Sequence, residues 1–444
     1  MITSQLLPSA KGRGPPLNLK RRKIEKVYRM HSWFFYLFVC VYFAHEIFET
    51  YLSVINNRYI RAHQQEIPLY FKDKIDFETY QKSIAYNLEK SKFSLMMRWL
   101  GLAITWGVIL SGFFALLGTY LERFVSPSSL TYSVLYCLSI GFLGMILGIP
   151  SSLYNQFVIE EKYGFNKMTA KLFVMDLLKG LLLSALLGIP LMYLVFWLYQ
   201  VSGAYWWLWA FLAFFGFQLF LAAVYPTFLA PLFNKFVPLE EGSLKKAIEE
   251  IAEKIKFKMS GIFKIDGSKR SSHSNAYFAG IGKFRRIVLF DTLMTQMNEE
   301  EIISVLAHEM GHNKKRHIQK QLILGFVSGL LSFWLLSLVM NWLPFYQAFG
   351  AGNPSPGKAL VLFALFGGSF SFFLTPLSNY LSRKYEYEAD AFSVEATQKT
   401  EPMKTALVKL SKENLSNLTP HPLYSFYYYS HPTTLERVEA IQKI

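Results

Sequence analysis

The chain has 444 residues, of which 52% are hydrophobic, 17% aromatic and only 17% charged. That balance excludes an ordinary soluble domain and predicts a polytopic membrane protein. A formal net charge of +15 does not indicate nucleic acid, because the basic residues lie scattered between apolar runs with no reading motif around them. An anionic membrane surface accounts for them better.

Residues 1–29 carry Gly12, Gly14, Pro15, Pro16 and the cluster Lys20-Arg21-Arg22-Lys23, a flexible basic arm. The apolar run that follows is too long, and too interrupted by His45, Glu46 and Glu49, for a signal peptide. A membrane helix needs about 20 largely apolar residues. Seven stretches qualify, near 33–55, 99–121, 130–150, 172–199, 204–225, 321–343 and 358–380. The expected architecture is mainly α-helical: seven transmembrane helices with a small α+β domain. Residues 30–225 hold the first five spans, 226–320 a long polar α+β region, 321–380 the last two spans, and 381–444 a second polar region.

Two crossings separate the two long polar regions, so both face one side of the bilayer. Loops 56–98 and 151–171 share that side and carry Arg58, Arg61, Lys72, Lys74, Lys162 and Lys167, which marks it as cytosolic. The basic arm then falls on the opposite side, against the same rule. Asp176 and Lys179, inside the fourth span, either neutralise one another or line water within the bundle. Cys40 and Cys137 sit in apolar stretches, leaving neither a disulfide framework nor a cysteine metal site. A metal here must use histidine and carboxylate.

In the polar region, Leu244 to Ile255 has amphipathic helical spacing, and Gly261 to Asp266 reads as a short strand. Asn275 to Gly280, Gly282-Lys283 and Arg286 to Phe290 predict a β-hairpin. Asn298 with Glu301 three residues on opens a helix. That helix carries His308-Glu309-Met310-Gly311-His312. Two imidazoles four positions apart share a helix face and can meet one metal ion, with Glu309 beside them as a base for water. His317 is expected only to cap the helix or face solvent. A third ligand is available in Ser382-Arg383-Lys384-Tyr385-Glu386-Tyr387-Glu388-Ala389-Asp390, where Glu386 and Asp390 share a face. Glu386 can bind metal while Asp390 accepts the far N–H of a ligating imidazole; Arg383 lies one turn before Glu386, and Glu388 points elsewhere.

These two segments resemble those of the type 1 CAAX prenyl proteases, integral-membrane zinc metalloproteases of the gluzincin kind. Tyr154 to Asn166, Ala230 to Phe236, Gly267 to Phe278 and Tyr429-Ser430-His431-Pro432 are similar to further motifs of that family. The resemblance implies a ring of helices around a large water-filled chamber with one zinc ion per chain, held by His308, His312 and Glu386. It implies substrates that end in a prenylated cysteine and three further residues, a membrane-lipid environment, no nucleic-acid partner and a monomer. Asn275, Ala276, Tyr277 and Phe278 match the strand that pairs with substrate. His431 and Arg437 match positions that contact substrate or stabilise the oxyanion, although a histidine before proline is ordinarily structural. In a eukaryote the expected site is the endoplasmic reticulum, with the inner nuclear membrane as a second location. A membrane quality-control zinc protease of the heat-shock type is the alternative. The chain departs from the family in Asn313-Lys314-Lys315-Arg316, where an aromatic and a small residue are usual.

Overall fold

The structure is a computed structural model that describes residues 33–280 and 286–444. The N-terminal arm and the Gly282-Lys283 turn lie outside the described residues. Helices α1 (Trp33–Ala62), α2 (Phe77–Leu110), α3 (Phe113–Leu121), α4 (Leu130–Tyr154), α5 (Ala170–Val201) and α6 (Trp206–Val224) come first. The polar region holds β1 (Phe236–Pro238), α7 (Ser243–Lys254), β2 (Gly261–Ile265), β3 (Ala276–Ala279), β4 (Arg286–Phe290), α8 (Asp291–Gln296) and α9 (Glu299–Lys314). Helices α10 (His317–Val339), α11 (Leu343–Ala348) and α12 (Pro356–Phe372) follow, and α13 (Thr375–Thr397), α14 (Glu401–Glu413), α15 (Pro422–Tyr428) and α16 (Thr434–Ile441) complete the chain.

Six helical stretches among the described residues are long and apolar enough to cross a membrane, and the bent pair α12 and α13, at 60° to one another, makes a seventh. The second span departs from its expected limits of 99–121. Helix α2 begins at Phe77, where the Asp76 carboxylate accepts from Thr79 N–H (2.7 Å), and stops before Gly112, whose left-handed backbone (φ 69°) separates α3. The polar first half of α2 had disguised its continuity with the apolar half. The seventh span, expected to run straight through 358–380, bends before Pro376, which has no N–H to continue a helical ladder.

The spans form a closed wall one helix thick. Helix α1 packs on α2, α3 bridges α2 to α4, then α4, α5, α6, α10 and α12 follow in turn, and α12 returns to α1. Within the apolar windows of the six straight spans only 6–22% of residues are buried. A solid bundle would bury a stripe of every helix, so the wall encloses an open interior. One end is sealed by Phe34, Phe38, Tyr136, Phe345 and Phe349, packed in a single cluster. There α12 meets α4 so closely that a Cβ on Gly357 would fall 2.5 Å from the Ser133 carbonyl oxygen.

The peptidase region closes the other end. Its sheet has the order β1-β2-β4-β3, with β2 and β4 parallel and the other pairs antiparallel. Strand β3 is therefore an edge, registered on β4 from Ala276 opposite Leu289 to Ala279 opposite Arg286. Ile248 of α7, Ile287 and Leu289 of β4, Leu306 and Met310 of α9 and Phe392 of α13 share the core beneath it.

The charges within the spans find polar partners on neighbouring segments. Asp176 and Lys179 do not neutralise one another: Asp176 accepts from Arg270 (2.8 and 3.0 Å), and Lys179 donates to the Leu232 carbonyl (2.8 Å). The guanidinium on the peptidase side is a fork that fits a carboxylate better than the lysine one turn away. In α1, Glu49 binds both Arg98 of α2 and His45.

Candidate metal centre

Helix α9 starts from a capping box. The Asn298 side chain accepts from Glu301 N–H (3.0 Å), and the Glu301 carboxylate accepts from Asn298 N–H (2.9 Å). Lys409 of α14 pairs with the same buried carboxylate (2.7 Å), so the start of the helix is fixed from two sides. Three turns on, α13 crosses α9 almost at backbone contact. A Cβ on Gly311 would lie 3.1 Å from both Ala389 Cα and Phe392 Cβ, and the Ser393 hydroxyl donates to the Ser304 carbonyl (2.6 Å). The missing side chain at Gly311 is what lets Glu386 reach the histidines.

The Nε2 atoms of His308 and His312 are 3.2 Å apart, and Glu386 lies 3.3 Å from the first and 3.2 Å from the second. Donor atoms of all three fall within 4.8 Å of one another. Glu386 is 4% exposed, and its Oε2 makes no hydrogen bond. A buried carboxylate oxygen without a donor is costly unless a cation meets it, so these residues fit a metal ion. Burial alone would push the Glu386 carboxyl up, but His308, His312 and Arg437 outweigh it and hold it well below the usual carboxylate range.

Asp390 stands behind the site, 1% exposed, and accepts from His308 Nδ1–H (2.7 Å), Arg437 Nε (2.8 Å) and Arg437 Nη2 (2.6 Å). The ionised carboxylate can only accept, so the His308 proton belongs on Nδ1 and Nε2 turns its lone pair to the metal position. Burial would raise the Asp390 carboxyl; Arg437 and His308 lower it instead. Arg437 is buried with its Nε and Nη2 committed to Asp390, while Nη1 approaches Glu386 to 3.6 Å.

A cavity of about 360 Å³ opens in front, lined by Glu309, Glu386, Asn275, Ala276 and His431 among others. Burial pushes the Glu309 carboxyl above the ordinary range. His431 faces this cavity with Nε2 3.4 Å from Glu386. Of the four strand residues singled out from the sequence, Asn275 and Ala276 reach the cavity. The rings of Tyr277 and Phe278 pack instead on Phe290 (6.2 Å) and Phe257 (5.1 Å). Arg383 does not brace Glu386: it donates to the carbonyls of Phe426 (3.0 Å) and Tyr429 (2.7 Å), the segment leading into His431.

The sequence reading of His317 is corrected. It neither caps nor faces solvent but is 1% exposed, with Nδ1 3.0 Å from His312 Nδ1 and Nε2–H donating to Glu388 (3.0 Å). Its ring stacks on Tyr385 (4.3 Å between centroids). Arg316 takes left-handed backbone (φ 59°), which breaks the helix and swings His317 back under His312. The motif histidines thus have separate supports: Asp390 for His308, and His317 with Glu388 for His312. The signal available in sequence was a histidine one helix break beyond the motif, with a carboxylate two residues past Glu386.

The whole chain is similar to known proteins. Residues 56–235 match the family described as CAAX prenyl protease N-terminal, five membrane helices, and residues 238–444 match peptidase family M48. CAAX prenyl protease 1 of Saccharomyces cerevisiae is 37% identical over 89% of this chain and 92% of its own length. The Arabidopsis thaliana homologue is 37% identical, covering 89% and 94%, and the Homo sapiens homologue 32%, covering 89% and 92%. The crystal structure of Ste24p from S. mikatae superimposes with a TM-score of 0.85 at 34% identity, covering 92% of this chain and 98% of that one. With a seven-span ring behind it and a His-His-Glu metal site at its mouth, the chain belongs to the CAAX prenyl proteases of peptidase family M48.

Proposed function

We propose that this chain is a membrane zinc endopeptidase that removes the three residues following a prenylated C-terminal cysteine. The reading is carried by the His308, His312 and Glu386 donor set beside Glu309 at the mouth of a membrane ring. Relatives named CAAX prenyl protease 1 in yeast, plant and mammal supply the substrate class. Two imidazoles and one carboxylate, with a position left for water, are a catalytic zinc set. When bound, zinc supplies Lewis acidity toward the scissile carbonyl and the attacking water.

The remaining steps belong to the chain's own side chains. Edge strand β3, from Ala276 to Phe278 with Asn275 leading in, accepts the substrate backbone as an added strand. Glu309 takes the proton from water and later passes it to the leaving amine. His431 and the Nη1 edge of Arg437 face the carbonyl oxygen as charge develops on it. Asp390 and His317 hold the two imidazoles in orientation. Basic residues at the peptidase end, such as Arg58, Arg61 and Lys162, favour a cytosolic site, and the compartment we assign is the endoplasmic reticulum membrane.

Purified protein incubated with a prenylated C-terminal peptide, its unprenylated twin and a chelator, with products identified by mass, tests this. Cleavage is expected after the prenylated cysteine, to be lost on chelation and restored by zinc. Cleavage that survives chelation overturns the metal reading. Preference for unprenylated misfolded membrane proteins would instead make the chain a quality-control protease of the heat-shock type.

A further inference from the structure

The boundary between the two family matches falls at β1, yet the strand that would receive substrate lies well inside the second match. Strand β3 is four residues long and sits at an edge, so its own sheet holds it on one side only. Its lead-in segment is tied to the membrane ring at several points. Arg270 makes a fork onto Asp176 of α5, and the Phe233 carbonyl accepts from Arg270 Nη2 (2.7 Å). Ser271 pairs antiparallel with Asn166, with Lys167 N–H donating to Arg270 O (3.1 Å) and Ser272 N–H to Phe165 O (3.1 Å).

The last tie, next to the strand itself, is His273. Its ring stacks on Phe165 (3.9 Å between centroids, 20°). One nitrogen meets Glu160 (3.3 Å) and the other Asn414 at the end of α14 (2.9 Å). Glu160 is buried and also accepts from Tyr86 (2.8 Å) and Lys90 (3.3 Å) of α2. It ends a π-turn over Asn155–Glu160 that continues α4. An α-helix carried straight on would present residue 160 about 100° away per residue of register, so the widened turn is what aims this carboxylate at His273.

We propose that Glu160 and His273 form a latch that fixes β3 in register with the membrane helices, making both of them positioning residues for the substrate strand. The peptide to be cut is anchored by its lipid on the ring side and must be paired on the peptidase side. A strand free to drift would pair less well with the substrate backbone before any chemistry, which raises KM and leaves kcat in place. The latch removes that freedom without touching the metal ligands. The kinetic part of the claim rests on the protease function proposed above; the structural part does not.

The test uses full-length protein in detergent with Glu160→Gln, His273→Ala and the double variant. Hydrogen exchange at residues 274–280 is expected to quicken about tenfold while α9 stays protected. KM for a prenylated peptide should rise about tenfold with kcat within about twofold and metal content unchanged, and the double variant should be no worse than the worse single one. Unchanged exchange at β3 in both single variants overturns the latch. So does a joint fall of kcat, metal content and protection at α9, which marks a general loss of structure. If the unaltered protein fails to cut the peptide, the functional reading fails, and the exchange measurement still decides the latch.

Discussion

Glycine marks different packing at the α9–α13 crossing and along the open stretches of the ring wall. At Gly311 in α9 an added methyl group would meet the backbone of Ala389 at 3.1 Å, while at Gly141, Gly144, Gly180 and Gly325 it would meet nothing within 4 Å. In a packed membrane bundle small residues mark where helices touch. Here Gly311 is such a contact inside the peptidase; the ring has its own at Gly118 against Lys358 and Tyr132, Gly329 against Phe211 and Gly357 against Ser133, while Gly141, Gly144, Gly180 and Gly325 have open space beside them. Along those open stretches the ring wall tolerates change in side-chain volume. The crossing of α9 and α13 is an instrument whose distances set the metal site.

The comparison is broken most severely at the site itself. Glu309→Gln removes the base but none of the three metal ligands, so turnover should fall about 10² to 10⁴-fold with metal retained. Metal content measured beside peptide cleavage checks this, and substantial remaining activity would remove Glu309 from its role. Asp390→Asn keeps the shape but loses an acceptor that His308 and Arg437 share in a nearly dry site. Metal affinity should drop about 10 to 100-fold, read by competition with a chelator. His317→Ala removes the equivalent support from His312. The His312 side chain is 22% exposed against 7% for His308, so water can replace the lost partner, and a loss nearer tenfold is expected. Equal losses for the two variants would mean that burial does not separate the two supports.

Much of this centre was legible because local periodicity carries it. Four-residue spacing puts His308 with His312 and Glu386 with Asp390 on shared faces, and the contact between His308 and Asp390 follows once two helices are brought together. Asn298 and Glu301 announce the start of α9 in the same way. What stayed hidden depends on backbone events or on long-range pairing. The inward turn of His317 follows from one left-handed residue, Arg316, that no local pattern marks. The pairing of Asp176 with Arg270, rather than with its helical neighbour Lys179, spans most of the ring-to-peptidase distance along the chain. Helix α2 was shortened because hydropathy registers only its membrane half. The bend between α12 and α13 was smoothed over, since Pro376 at a helix start reads like one inside a span.

The smallest expected effect is also the cleanest test of the contrast, because it asks one substitution to change sign between the two regions. Gly311→Ala must push Ala389 or the Phe392 side chain aside by a few tenths of an ångström, in a core where neither has room to move. Overpacking of this kind costs about 1–3 kcal/mol, and it shifts α13 with Glu386 on it, so the unfolding temperature and metal affinity should fall together. Gly141→Ala in α4 meets nothing, and replacing glycine within a helix gains about 0.5–1 kcal/mol from the lost freedom of the unfolded chain. Its unfolding temperature should stay level or rise slightly, with cleavage unchanged. A clear drop at Gly141 would mean that this stretch of α4 is packed against something.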